Sequence, residues 1–127
     1  MELVAIVTGL AVLQMFAFAF QVGKMRMKHG VAAPASSGHP EFERANRIHV
    51  NTVEQMVIFL PGLWMFGYYV HAQIAAGLGL LFIIGRFVYR SAYLADPKKR
   101  SAGFGIGALA TVTLVVGGMI GAAIDLM

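Results

Sequence analysis

Residues 3–23, LVAIVTGLAVLQMFAFAFQVG, decide the fold class of this chain. The stretch contains no Asp, Glu, Lys or Arg, and the cations Lys24, Arg26 and Lys28 follow it at once. A helix needs about 20 consecutive apolar residues to cross the hydrocarbon core of a bilayer. We therefore predict a membrane-spanning helix over residues 2–23. No basic residue precedes the apolar run, so we expect a retained span and not a cleaved signal peptide.

The composition of the whole chain agrees with a membrane protein. Hydrophobic residues make up 58% of its 127 residues and charged residues 13%, whereas a soluble domain carries about 25% charged residues. The length suits a single domain over residues 1–127. There are no cysteines, which excludes disulfides, thiolate metal sites and cysteine nucleophiles.

Two further helices are predicted in the middle of the chain. Residues 29–41, HGVAAPASSGHPE, have the Gly, Pro and Ser content of a loop. Residues 55–85 again contain no Asp, Glu, Lys or Arg, and this run is too long for one helix. A break near His71 would divide it into an antiparallel pair of helices over residues 43–69 and 73–94.

A fourth span completes the prediction. Asp96-Pro97 favours a turn. The stretch from Ser101 to Ile124 is free of charge, so we predict a helix over residues 101–125. Gly117 and Gly121 form a GxxxG pair, which suits close helix packing either within one bundle or between subunits. The predicted fold class is thus an all-α integral membrane protein with a bundle of four transmembrane helices.

The basic residues predict the orientation of this bundle. All ten lie within residues 24–47 and 86–100, and four spans place these two segments on the same side of the membrane. By the positive-inside rule that side is cytoplasmic. Because topology explains the two clusters, the net charge of +4 does not indicate a nucleic-acid partner.

The polar start of the second helix, EFERANRIHVNTVEQ (41–55), is the first candidate site. Arg44, Arg47, Asn51 and Glu54 are three, four and three residues apart, so they share one helix face. Polar groups at the mouth of a membrane bundle suggest function, although a structural ion-pair network would give the same pattern. His49 lies off this face and could meet a neighbouring subunit.

The end of the third helix, GRFVYRSAYLADPKKRS (85–101), supplies a second group. Arg86, Tyr89 and Tyr93 share a face, although interfacial tyrosines are often only part of an aromatic belt. Arg90 is interpreted as a solvated or lipid-headgroup residue, and the two lysines that follow Pro97 as topology determinants. The two groups together predict a basic pocket for a small, mostly anionic ligand with one amine, because arginine binds carboxylates and Glu54 suits an ammonium.

These residues, in this order, resemble the MAPEG family, the membrane-associated proteins in eicosanoid and glutathione metabolism. The pattern is Glu43-Arg44-x-x-Arg47-x-His49-x-Asn51-x-x-Glu54, then Arg86-x-x-Tyr89-x-x-x-Tyr93 and Arg100-Ser101. The resemblance covers nearly the whole chain. It implies a homotrimer with glutathione as co-substrate between neighbouring subunits, near the cytoplasmic face of what would be a bacterial inner membrane.

The resemblance also assigns roles to single residues. Arg100 would hold the glutathione thiolate, with help from the Ser101 hydroxyl, and no metal is implied. Arg26 and His49 would reach the site from the adjacent subunit. The full set of expected glutathione-binding residues is Arg26, Arg44, Arg47, His49, Asn51, Glu54, Arg86, Tyr89 and Tyr93. Gln55 and Met27 replace a tyrosine and an arginine of eicosanoid-forming members, which favours a detoxifying role.

The expected function is that of a glutathione-dependent membrane transferase, a peroxidase, or both. The second substrate would be a hydrophobic electrophile or a lipid hydroperoxide that enters from the membrane lipid. A non-catalytic lipid- or glutathione-binding protein of the same fold is the alternative. A four-span multidrug exporter is disfavoured, because residues 3–23 lack the acidic residue that proton coupling requires.

Overall fold

The computed structural model describes residues 1–127 and consists of four long α-helices. Their bounds are α1 Glu2–His29, α2 Pro40–Tyr69, α3 Ala72–Ala95 and α4 Ser101–Leu126. A single 3₁₀ turn, Pro97–Lys99, precedes α4. The fold is therefore all-helical, as the sequence predicts.

Three segments are long and apolar enough to cross a membrane: Glu2–His29, Ala72–Ala95 and Pro97–Leu126. The α2 helix has 30 residues, which gives it a length of about 45 Å. It is absent from this set because its first turns carry the polar residues of the candidate site. A helix of this length places its polar start beyond the apolar part of the bundle.

The first helix is longer than the predicted range of 2–23. It continues through Lys24 and Arg26 to His29, and Gly30 closes it in the left-handed conformation with φ of 66°. Charged residues end a membrane span, but Lys, Arg and Met are good helix formers, so they do not end the helix. A glycine with positive φ does end it.

The second helix begins before the predicted residue 43. His39 is its N-cap, and the imidazole Nδ1 accepts a hydrogen bond from the Glu41 backbone N–H at 3.1 Å. Pro40 occupies the first helical position, where its missing N–H costs nothing. At the other end, only Val70 and His71 separate α2 from α3, so the two helices form a tight antiparallel hairpin.

The core of the bundle joins all four helices. The Phe59 ring of α2 stacks on the Phe82 ring of α3, with centroids 3.8 Å apart and planes within 5°. Val7 of α1 and Leu114 of α4 belong to the same buried cluster. A buried hydrogen bond also joins α1 to α3, because Gln14 Nε2 donates to the Ile83 carbonyl at 2.9 Å.

Glycines let α4 lie directly against α2 and α3. A Cβ on Gly103 would meet the Tyr89 backbone, with Cα only 2.6 Å away. A Cβ on Gly117 would lie 2.6 Å from the Phe66 ring, and one on Gly121 would lie 2.9 Å from the Tyr69 carbonyl oxygen. The GxxxG pair therefore packs against α2 of the same protomer, as the first of the two interpretations of its spacing predicts.

The outside of the bundle is apolar over most of its length. Large side chains from every helix are exposed there, among them Phe16, Phe20, Val57, Leu81, Leu109 and Ile120. Water does not favour a continuous surface of this kind, whereas lipid does. The helices also satisfy their backbone groups internally, as a bilayer requires.

Candidate functional site

A cavity of about 440 Å³ lies among α2, α3 and the start of α4. Its lining residues are Arg47, Asn51, Tyr89, Tyr93, Arg100 and Phe104. Two guanidinium groups, one amide and two phenols are thus brought together, and no carboxylate lines the cavity. The site is cationic, with rigid aromatic walls.

Arg47 lines this cavity, whereas Glu54 is not among the lining residues and pairs with Arg47 beside it. Arg47 Nη1 lies 3.3 Å from Glu54 Oε1, and the two side chains are 51% and 52% exposed. An exposed pair of this kind contributes little to stability. Both side chains can therefore turn to a ligand at low cost, which distinguishes this pair from a structural ion-pair network.

Arg86 lies behind the cavity and does not line it. Its side chain is 1% exposed, and Nη2 donates to Asn51 Oδ1 at 2.8 Å and to Thr52 Oγ1 at 2.9 Å. The guanidinium carbon also lies 4.2 Å from the centre of the Tyr89 ring. The sequence predicts that Arg86 binds the ligand. In this protomer it instead contacts Asn51 and Tyr89, two residues that line the cavity.

Arg44 does not line the cavity either. Its Nη1 donates to the Leu94 carbonyl at 3.2 Å, and it borders a separate cavity with Gln21 and His39. Residues three apart on a helix point about 60° away from each other. That angle is enough to put Arg44 on one side of the C-terminal end of α3 and Arg47 on the other.

Arg100 enters the cavity from the turn that precedes α4. Its Nη1 donates to the Pro97 carbonyl at 3.0 Å, which holds the side chain against the 3₁₀ turn. Ser101 is the exposed first residue of α4 and is not part of the lining. The Tyr89 and Tyr93 rings stand opposite with centroids 5.6 Å apart, so Arg100 faces an aromatic wall.

The two residues expected from an adjacent subunit lie outside this cavity in the protomer. Arg26 Nη1 donates to the Ala35 carbonyl at 2.8 Å, and its guanidinium carbon lies 4.6 Å from the centre of the Phe42 ring. His49 is half-buried on α2. Their contribution to a neighbouring site stays a prediction.

Two residues at or behind the cavity, Phe104 and Thr52, are not predicted from the sequence. Phe104 lines the cavity and lies four residues after Arg100, so it shares the same helix face. Thr52 accepts from Arg86 and also donates to the Ile48 carbonyl. The spacing from Arg100 could have identified Phe104, but Thr52 has no signal in the sequence beyond its position next to Asn51.

The fold and the cavity together define an integral membrane protein with a cationic, aromatic site at the polar end of a four-helix bundle. The MAPEG family model matches residues 4–120. The chain therefore belongs to the MAPEG family, which confirms the resemblance.

Three relatives support the same membership. Human microsomal glutathione S-transferase 2 is 45% identical over 115 residues, which cover 89% of this chain and 78% of that protein. Leukotriene C4 synthase of Cavia porcellus is 40% identical over 100 residues, covering 79% and 67%. An uncharacterized protein of Synechocystis sp. is 41% identical over 116 residues, covering 91% and 85%.

Proposed function

We propose that this chain is a glutathione-dependent membrane transferase. The observation that carries the proposal is the convergence of Arg47, Asn51, Tyr89, Tyr93 and Arg100 on one cavity. The names of two relatives, a glutathione S-transferase and a synthase of leukotriene C4, support the choice of ligand.

Glutathione carries two carboxylates, one ammonium group and one thiol. Arg47 can bind a carboxylate with two parallel hydrogen bonds, and Glu54 beside it can bind the ammonium. Asn51 and the tyrosine hydroxyls add neutral hydrogen bonds from side chains with few free rotations. The charges of the Arg47–Glu54 pair therefore complement those of the peptide.

Arg100 is proposed to stabilise the glutathione thiolate. A free thiol has a pKa of about 8.5 and is mostly protonated at neutral pH. A shift of two units requires about 2.7 kcal/mol of preference for the anion, which one partly desolvated cation can supply. Ser101, next to Arg100 in the chain, is proposed to assist with its hydroxyl.

The reaction needs no covalent intermediate on the protein. The thiolate sulfur attacks an electrophilic carbon, a new sulfur–carbon bond forms, and the leaving group departs with its electron pair. We propose that the electrophile is lipophilic and enters from the bilayer. The protein contributes a fixed thiolate and the exclusion of water.

The proposed working form is a homotrimer in a bacterial inner membrane. In that form Arg26 and His49 of a neighbouring subunit would close the open side of each cavity. The placement of all ten basic residues in two segments supports a cytoplasmic site, by the positive-inside rule.

The test is the conjugation of glutathione to 1-chloro-2,4-dinitrobenzene by the detergent-purified protein. The wild type should turn over, Arg100→Ala should lose most of the rate, and Lys99→Ala should retain it. Lys99 is the matched control, because it neighbours Arg100 but lies outside the cavity. Equal rates in all three proteins would contradict the role of Arg100.

Absence of turnover in the wild type would count against the transferase. A second assay with cumene hydroperoxide then separates the remaining functions. Peroxide reduction would indicate a peroxidase that uses the same thiolate. Glutathione binding without turnover of either substrate would indicate a non-catalytic binding protein.

A further inference from the structure

A second cavity, of about 500 Å³, lies between α1 and α3 on another side of the bundle. Its lining residues are Ala17, Phe18, Phe20, Gln21, Lys24, Met25, Phe87 and Arg90. It shares no residue with the candidate glutathione site. We call it the α1–α3 groove.

The polar end of this groove carries two cations and no carboxylate. Arg90 Nε donates to Gln21 Oε1 at 2.8 Å, which holds the half-buried guanidinium against α1. Its two terminal nitrogens make no hydrogen bond within the protein. Lys24 lies one helical turn beyond Gln21 and forms no ion pair. The charge of this end is therefore uncompensated by the chain itself.

The other end of the groove is apolar and open to the outside. Phe18 is buried and meets the Phe87 ring edge to face, with centroids 6.0 Å apart. The Phe87 side chain is 49% exposed, and Phe20 is 73% exposed. Both rings border the groove below the cations. A ligand that fits must therefore be anionic at one end and apolar at the other.

We propose that the α1–α3 groove binds an anionic glycerophospholipid of the surrounding bilayer. The lipid phosphate lies between Lys24 and Arg90, and an acyl chain follows Phe20 and Phe87. Basic pockets between membrane helices at the headgroup level have this preference for anionic lipids. A free phosphate would leave the apolar half of the groove empty, and a neutral lipid would leave both cations unpaired.

The Gln21 side chain fixes the direction of the Arg90 guanidinium. A cation that serves only to orient the protein in the membrane needs no fixed direction. The Arg90 guanidinium has a fixed direction, because its Nε donates to Gln21 Oε1 at 2.8 Å while the side chain lines the groove. The same bond connects α1 to α3, so a bound headgroup would join the two helices further.

The test measures lipid affinity for the detergent-solubilised protein by native mass spectrometry. Phosphatidylglycerol is compared with phosphatidylcholine of the same chains. The Lys24→Gln/Arg90→Gln double variant is compared with Lys98→Gln/Lys99→Gln, which removes the same charge outside the groove. Each cation raises the affinity for an anionic lipid by about fivefold. The groove variant should therefore bind phosphatidylglycerol about thirtyfold more weakly than the control.

An Ala17→Phe variant tests the same groove if the double variant fails to fold. It retains both cations and places a ring in the exposed apolar part of the groove, so phosphatidylglycerol binding should fall. Equal affinity for both lipids in the wild type would overturn the proposal, as would equal losses in the groove and control variants. Thermal protection by inorganic phosphate alone, matching that by phosphatidylglycerol, would also overturn it.

Discussion

Arg86 Nη2 donates to Asn51 Oδ1 at 2.8 Å inside the bundle. Asn51 also lines the cavity, and with its oxygen engaged in this way the amide keeps its NH₂ group to donate to a ligand. A buried arginine on α3 thus sets the hydrogen-bonding character of a residue on α2. This relationship connects the stability of the bundle to the proposed recognition of glutathione.

Replacement of Arg86 should reduce both stability and glutathione affinity. In Arg86→Leu, Asn51 Oδ1 and Thr52 Oγ1 lose their shared donor, and an unsatisfied buried acceptor costs about 1–3 kcal/mol. We expect a lower unfolding midpoint in denaturant and a raised KM for glutathione. Asn51→Ala should raise the KM as well. An Arg86→Leu protein with wild-type KM would show that the contact to Asn51 has no role in binding.

Arg47 and Arg44 should behave differently, although the sequence places them on one stripe. Arg47 lines the cavity, whereas Arg44 donates to the Leu94 carbonyl elsewhere. A hydrogen bond to a charged group contributes about 1.5–3 kcal/mol, so Arg47→Ala should weaken glutathione binding at least about tenfold. Arg44→Ala should leave it within about twofold. Calorimetric titration of both variants decides this, and a larger loss in Arg44→Ala would refute the assignment.

Gly103 should not accept a side chain. Its Cα faces the Tyr89 backbone so closely that even a methyl group would force α3 and α4 apart. Overpacking of this kind costs about 1–3 kcal/mol, and it would also move Tyr89 and Arg100 relative to each other. Thermal unfolding and conjugation rate should therefore both suffer in Gly103→Ala.

Gly105 is the matched control for Gly103. It lies two residues further along α4, and a Cβ there would have no atom within 4 Å. Alanine is favoured over glycine in a helix by about 1 kcal/mol, so Gly105→Ala should be neutral or stabilising. Equal destabilisation by the two substitutions would argue against the close packing of α3 and α4.

The junction of α1 and α2 should weaken in acid. Glu41 lies at the polar start of α2, where hydrogen bonds from Lys28 and then from His29, both at 3.1 Å, hold the pKa of its carboxyl below the ordinary value of 4.5. A lowered pKa means that the stabilisation is present above pH 4.5 and is lost as the pH falls through the lower folded-state value.

The difference in thermal stability between wild type and Glu41→Gln measures this contribution. The difference should be present above pH 4.5 and should shrink as the pH falls below that value. Glu43→Gln is the control, because Glu43 is exposed and forms no ion pair. A Glu41→Gln difference that does not change with pH would mean that the ion pair does not stabilise the junction.

Helical spacing and charge-free runs predicted much of this structure. Runs without charge identified the helices, because lipid and helix packing both exclude unpaired charges. The predicted end of α1 at residue 23 was wrong, because a charged residue limits the membrane-spanning part of a helix and not the helix itself. The helix continues to His29, and Gly30 ends it. The polar stripe of α2 also identified Arg47 and Asn51, which do line the cavity.

The sequence could not predict which of the polar residues on α2 and α3 line the candidate site and which lie outside it. Arg44 and Arg86 have the spacing of ligand-binding residues, but Arg44 donates to the Leu94 carbonyl outside the cavity and Arg86 donates to Asn51 from behind it. Both outcomes depend on how α2 and α3 are rotated about their axes. That rotation is set by long-range contacts such as the stacking of Phe59 on Phe82, which no local pattern encodes.

The most direct test of the central claim is the pKa of the glutathione thiol in the complex. Ultraviolet difference spectra of the thiolate, recorded across a pH titration at saturating protein, give this value. We expect the bound thiol to titrate about two units below the free value of about 8.5, and to return toward that value in Arg100→Ala. Tight binding of glutathione with an unshifted thiol pKa in the wild type would contradict the account.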